Sequence, residues 1–270
     1  MRVRLRRRGD GRFGGAALSV RKAAGSSRHR RRAAAVAVSL LLLTAAAQAQ
    51  WSGSVAAESD YRFRGESLSA GRPAVRLSAN HDGAGGWYAG ASATQSQLNE
   101  GDRYAQVLGY AGCVRPLGGS ASLEFGATGS AFVGQRRYDF AELYAGLLIS
   151  AGSLRLSLSP DYFGRHVRTA YLDANGQWPL FARTRLIAHA GLLVPLSAAA
   201  TVATAAYAVP VPPGPAGANR SRADLRAGIG WASGNVDLNL TWSAVSPGGP
   251  PPVSASQRRR GWVFGATWYF

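Results

Sequence analysis

The sequence predicts an all-β fold, a closed antiparallel up-and-down transmembrane β-barrel of about 12 strands. Three observations carry this. Apolar and polar residues alternate with a period of two over most of the chain after residue 50. The links between the alternating stretches are short and long in turn. The chain stops on "GWVFGATWYF", which places Trp262, Phe264, Trp268 and Phe270 in one register. Ends usually fray into water, so residues this apolar must be covered by a core or by lipid.

The first 49 residues are read apart from this pattern, as a signal peptide. "RHRRR" is a basic leader, Ala33 to Ala47 an apolar stretch, and Ala47 to Ala49 the small residues of a cleavage site near Ala49. The apolar stretch is shorter than the roughly 20 residues of a membrane helix. Removing this segment changes the charge argument. The formal net charge of +17 includes 12 of the 31 basic residues and one acid within residues 1–49; the remainder carries 19 arginines and 13 acids, a net of +6. A strongly basic nucleic-acid binder is therefore not indicated, and no nucleic-acid partner is expected.

Residues 50–270 form the predicted barrel. In 51–64 Trp51, Val55, Ala57, Tyr61 and Phe63 oppose Ser52, Ser54, Glu58, Asp60, Arg62 and Arg64. In 72–80 Val75 and Leu77 oppose Arg72, Arg76, Ser78 and Asn80. Trp87, Ala89, Ala91 and Ala93 then face away from Tyr88, Ser92 and Thr94. Residues 104–114 alternate less cleanly. Leu123, Phe125, Ala127 and Ala131 oppose Ser122, Glu124, Thr128 and Ser130, and Leu143, Ala145, Leu147 and Ile149 oppose Glu142, Tyr144 and Ser150. "SLRLSLS" separates Leu154, Leu156 and Leu158 from Arg155. Residues 169–174 are again weaker. Leu186, Ala188, Ala190 and Leu192 oppose Arg183, Arg185 and His189; Leu225, Ala227, Ile229 and Trp231 oppose Asp224 and Arg226; Val236, Leu238, Leu240 and Trp242 oppose Asp237, Asn239 and Thr241. The last strand is 261–270.

Short turns fall at 81–85, 116–120, 150–153, 179–182 and 232–235, and longer links at 65–71, 96–102, 134–138, 160–168, 195–221 and 245–258. Strands of about ten residues between unlike ends fit a membrane barrel. A soluble β-sandwich is the alternative. It is disfavoured by strand length, since sandwich strands are usually about five or six residues. It is disfavoured too by the tryptophans at strand ends (Trp51, Trp87, Trp231, Trp242, Trp262, Trp268), where interfacial aromatics belong. The last strand must then pair with the first, because lipid tolerates no open edge. Trp268 and Phe270 resemble the C-terminal signal read by the barrel-assembly machinery.

Residues 60–74, "DYRFRGESLSAGRPA", resemble the start of the TorF-type porins of proteobacteria through Tyr61, Arg64, Gly65, Ser69, Pro73 and Ala74. The resemblance continues in "GGWYAG", "SPDYFG", "YLDANGQWPL" and "AHAGLLV". Where the family has an acidic residue after Tyr104, this chain has Gln106, and the 195–221 link is individual. The resemblance implies a twelve-strand outer-membrane barrel with channel activity and no cofactor.

Twelve tilted strands give a backbone diameter of about 24 Å, which leaves a narrow pore for ions or small hydrophilic solutes, or a plugged interior. The residues expected to line it are Glu58, Asp60, Arg62, Arg64, Arg72, Arg76, Glu124, Glu142, Arg155, Arg183, Arg185, Asp224, Arg226 and Asp237, with Asp161 and Asp173 beside them. Two arrangements are open. The charges pair across strands, or Arg62, Arg64, Arg72 and Arg76 form a ladder that draws anions inward. Arginines also crowd the long links (Arg103, Arg136, Arg137, Arg165, Arg168, Arg220, Arg222, Arg258 to Arg260), where guanidinium forks suit lipopolysaccharide phosphates. Outer-membrane lipids, lipopolysaccharide, the assembly machinery and small solutes are the expected partners. A non-conducting structural or adhesion barrel is the second reading. A lipid-modifying hydrolase is the third, and Ser159, Asp161 and His166 are its only candidate triad; no nucleophile motif surrounds Ser159. Cys113 is the sole cysteine, and no His or Cys cluster has metal-ligand spacing, so no metal and no cofactor are expected.

Overall fold

The computed structural model describes residues 51–97, 103–197, 220–250 and 259–270. The signal-peptide segment and most of the 195–221 link lie outside them. Twelve strands close into one antiparallel barrel: β1 (Trp51–Glu58), β4 (Ala74–Asp82), β5 (Trp87–Ser96), β6 (Tyr104–Gly118), β7 (Ala121–Phe132), β8 (Phe140–Ile149), β9 (Gly152–Ser159), β10 (Thr169–Pro179), β11 (Thr184–Pro195), β12 (Arg222–Ser233), β13 (Val236–Val245) and β14 (Arg260–Tyr269). Each wall strand pairs with its chain neighbours, and β14 returns to β1. Among the described residues no helix is long and apolar enough to cross a membrane.

Closure depends on the aromatic C-terminus. Ala57 lies opposite Ala266 and Val55 opposite Trp268. The final rung is reciprocal: Gly53 N donates to the Phe270 carbonyl at 2.9 Å and Phe270 N to that of Gly53 at 3.0 Å. The last residue is thus part of the ladder, with its ring 5.1 Å from that of Trp268 on the outer face.

The apolar register of every wall strand faces outward. Leu156, Leu172 and Leu192 lie side by side on β9, β10 and β11, all exposed. All seven tryptophans face out, between 38 % and 65 % exposed. Five sit toward the short-turn end (Trp51, Trp87, Trp178, Trp231, Trp268), whereas Trp242 and Trp262 pair near the other end. Such an exterior is stable against hydrocarbon flanked by interfacial aromatics, and each wall strand is hydrogen-bonded to a neighbour on both sides, so the sheet has no free edge strand, as a membrane requires.

One end carries only short turns, at 83–86, 119–120, 150–151, 180–183 and 234–235. The other carries the links 59–73, 97–103, 133–139, 160–168, 196–221 and 246–259. The first strand departs from expectation. It stops at Glu58, and the chain then forms a small hairpin, β2 (Arg62–Phe63) and β3 (Glu66–Ser67), that is not part of the barrel sheet. Tyr61 and Phe63 therefore do not face lipid. Tyr61 is buried, and both belong to an aromatic cluster with Leu68, Phe132, Tyr138, Phe140, Tyr162, Phe163 and Tyr171. The cluster joins the hairpin to the 133–139 and 160–168 links and so forms a plug at the long-link end. Phe140 stacks on Phe163 with centroids 4.5 Å apart.

Candidate functional site: a charged cavity beneath a plug

The chain leaves β1 through Asp60, whose carboxylate organises the hairpin. Asp60 Oδ2 accepts from Arg62 Nε at 2.7 Å, and Oδ1 accepts from the Ser67 and Ser69 hydroxyls. Ser69 Oγ in turn accepts from Tyr61 N at 2.9 Å. At the hairpin tip Arg64 and Gly65 both have positive φ, 50° and 76°, as a two-residue I′ turn requires. A side chain at Gly65 has no room either: its Cβ would lie 2.6 Å from that of Asp224.

The tip plants Arg64 deep in the barrel. Its Nη2 donates to Glu142 Oε2 at 2.7 Å, both side chains being under 10 % exposed. Its guanidinium lies 4.0 Å from the centroid of the Tyr171 ring. Burial disfavours the charged form of Arg64. Glu142, Tyr162 and Tyr171 together outweigh it, so the pKa is raised and the guanidinium stays charged. The hydroxyl of Tyr61 donates to Gln106 Oε1 at 3.0 Å, and Gln106 Nε2 donates to Ser130. Burial, aided by Glu58 and opposed by Arg76, pushes the Tyr61 phenol up to about 12. Tyr61, Arg64 and Gly65, which carried the family resemblance, are thus the plug's own anchors, and Gln106 receives one of them.

Beneath the plug lies a cavity of about 710 Å³. Of the residues expected to line a pore, Glu58, Asp60, Arg62, Arg64, Arg76, Glu124, Glu142, Arg155, Asp224 and Arg226 line this cavity. The other expected residues lie elsewhere. Arg72 is exposed in the link before β4. Arg183 sits in a short turn and donates to Ser233. Arg185 Nη2 and Asp237 Oδ2 pair at 2.7 Å outside the cavity lining, and Asp161 is in a long link. The four-arginine ladder is not formed. Arg62, Arg64 and Arg76 are each held by a carboxylate (Asp60, Glu142 and Glu58), and Arg72 is outside. Arg222, expected among the long-link arginines that suit lipopolysaccharide phosphates, is instead 1 % exposed and close to Glu66 of the hairpin at 3.4 Å.

Toward the short turns, the wall is furnished with tyrosines. The Tyr88 hydroxyl donates to Glu124 Oε1 at 2.5 Å and meets that of Tyr144 at 2.7 Å. Arg155 reaches Glu124 Oε2 through Nη2 at 2.7 Å and lies over the Tyr144 ring. These tyrosines are seated on glycines of the neighbouring strand: Tyr88 opposite Gly112, Tyr110 opposite Gly90, Tyr144 opposite Gly126. A Cβ at any of the three would collide with the phenol. Tyr-opposite-Gly across adjacent inward registers is the signal that would have found this layer. On the facing wall Asn175 Nδ2 donates to Asp173 Oδ1 at 2.6 Å, which turns Asn175 Oδ1 toward His189 Nδ1 at 2.7 Å. His189 Nε2 lies 2.8 Å from Asp224 Oδ1, and the Tyr171 hydroxyl donates to Asp224 Oδ2 at 3.0 Å.

The hydrolytic constellation is not assembled. Ser159 Oγ donates to the Ala141 carbonyl, while Asp161 Oδ1 accepts from His166 N and closes the loop locally. Among the described residues no group of three or more His, Cys, Asp or Glu side chains is placed to hold a metal.

Comparison with solved structures agrees with the barrel. The NanC porin matches with a TM-score of 0.52 and 10 % identity over 80 % of this chain and 98 % of that one. The KdgM porin gives 0.49 and 12 %, over 81 % and 99 %. LpxR from Salmonella typhimurium gives 0.41 and 8 %, over 81 % and 99 %. At 10 % identity the likeness to the NanC porin is one of fold. No curated protein matches the sequence. The model of a family described as bacterial proteins of unknown function, Gcw_chp, matches residues 43–197, more than half of the sequence, and the chain belongs to that family.

Proposed function

We propose that this protein is an outer-membrane porin-like channel for ions or small hydrophilic solutes. It is exported by the residue 1–49 signal peptide and inserted by the assembly machinery through Trp268 and Phe270. The long links then face outward, where their arginines meet lipopolysaccharide phosphates, and the short turns face the periplasm. The observation that carries the reading is a charge-lined cavity enclosed by a wall whose outer register is apolar. The TorF-type resemblance implies the same activity. Fold alone does not fix function, so the site carries the argument.

The lining does not favour a strong anion preference. It holds five arginines against six carboxylates, Glu58, Asp60, Glu124, Glu142, Asp173 and Asp224, and most of them are paired. The plug favours a second reading, a barrel that does not conduct. Reconstitution of the purified barrel in planar bilayers decides between them. Discrete conductance steps with a reversal potential near zero in a salt gradient are expected. A correctly folded barrel that never conducts, with or without the 59–73 segment, leaves the structural or adhesion reading instead.

A further inference from the structure

Four of the cavity's five arginines are paired with carboxylates, which leaves Arg226, Asp173 and Asp224 outside the arginine pairs. Asp224 is shared by His189 and Tyr171. Arg226 is different. It lies in the inward register of β12, is exposed within the lumen, and bonds to none of the described residues. Asp173 of β10 is its counterpart. Its one hydrogen bond is from the Asn175 amide; Arg155 lies opposite and within its electrostatic reach, but the guanidinium is hydrogen-bonded to Glu124 instead. The two face the same cavity from strands separated only by β11. Arg226 lies level with His189 and Asn175, and Asp173 two residues along. Strand spacing and rise place their Cα atoms about 12 Å apart. The arginine is long enough to narrow that gap to the span of a small molecule.

We propose that Arg226 and Asp173 form a subsite for small zwitterions, α-amino acids or short peptides with free ends. The carboxylate is held by Arg226 and the ammonium by Asp173. A solute with one charge answers only one of the two groups and leaves the other with water. A zwitterion satisfies both and leaves the cavity's charge balance unchanged, and the guanidinium fork suits a carboxylate. The inference rests on the porin-like reading for its biological sense, since it names the solute that would enter.

The test uses the full-length processed barrel in detergent, with glycylglycine as zwitterion, N-acetylglycine as anion and glycinamide as cation, titrated by calorimetry. Glycylglycine is expected to bind about tenfold or more tighter than either analogue, because each lacks one charged hydrogen bond. Arg226→Gln should reduce glycylglycine binding to the level of glycinamide, and Asp173→Asn to that of N-acetylglycine. Both variants should keep the heat-modifiable mobility of a folded barrel. Equal affinity for the three probes, or glycylglycine binding unaltered in both folded variants, overturns the subsite. Bilayer conductance of the same preparation is read separately. A barrel that binds glycylglycine through these residues but does not conduct keeps the subsite and removes the channel.

Discussion

At the long-link end, Tyr61, Phe132, Phe140, Tyr162 and Phe163 come from segments far apart in sequence and pack into a buried cluster around a hairpin outside the barrel sheet. At the short-turn end, the inward side chains belong to the ladder itself, and the tyrosines lie hydrogen-bonded over glycines of adjacent strands. The first arrangement is held by side-chain packing and a few buried ion pairs. The second is tied into backbone hydrogen bonds that run round a closed sheet. Local opening draws on regions with the fewest such ties, so the plug is the part that can leave without dismantling the wall.

The largest effect expected from that contrast is on conductance. Replacing residues 61–71 by a short Gly-Ser link should raise single-channel conductance several-fold, whereas shortening the 119–120 turn should not. Equal conductance in the parent and the plugless barrel would show that the hairpin is no barrier.

Next comes Arg64→Gln, which leaves Glu142 buried without its cation. Breaking a buried pair on one side costs about 3–5 kcal/mol, here charged against the closed plug. Longer open dwell times are expected in single-channel records, and adding Glu142→Gln should shorten them again. A double variant as leaky as the single one would place the effect outside the pair.

A third outcome concerns alkaline pH. Tyr61 is held protonated by burial, with its pKa pushed up to about 12 from the ordinary phenol value of 10.0. The seated form therefore binds the proton more tightly than the released form. Its stabilisation is complete below pH 10 and is lost as pH rises through about 12. A shift of this size corresponds to about 3 kcal/mol. Open probability should climb between those limits, and Tyr61→Phe should flatten the climb.

Gly90→Ala tests the other end. The added methyl runs into the Tyr110 phenol and Asn80 Oδ1, and overpacking of this kind costs about 1–3 kcal/mol. The unfolding temperature read by heat-modifiable mobility should fall, with open probability unaltered.

The same contrast divides what the sequence revealed from what it hid. The wall was legible because a closed sheet between lipid and lumen writes its two environments into alternate residues. Even the weakly alternating 104–114 and 169–174 lie within β6 and β10. The hairpin was hidden because Tyr61 and Phe63 continue the phase of Trp51, Val55 and Ala57, so the pattern shows no break at Glu58. What breaks the strand is hydrogen bonding that periodicity does not record. Asp60 gathers Arg62, Ser67 and Ser69, and the tip turns through left-handed backbone. Pairings were hidden for a related reason. Arg64 and Glu142 are 78 residues apart, and nothing local tells an arginine that will find a partner from one, like Arg226, that will not.

The backbone at the hairpin tip has a mechanical consequence. A left-handed residue with a side chain is held at a cost of about 1–2 kcal/mol, and Arg64 occupies that conformation where Asn would rest more easily. Its reach to Glu142 and to the rings of Tyr171, Phe63 and Tyr162 offsets the strain. The mouth therefore behaves as a spring-loaded catch rather than a rivet: whatever competes for one carboxylate also lets the tip relax.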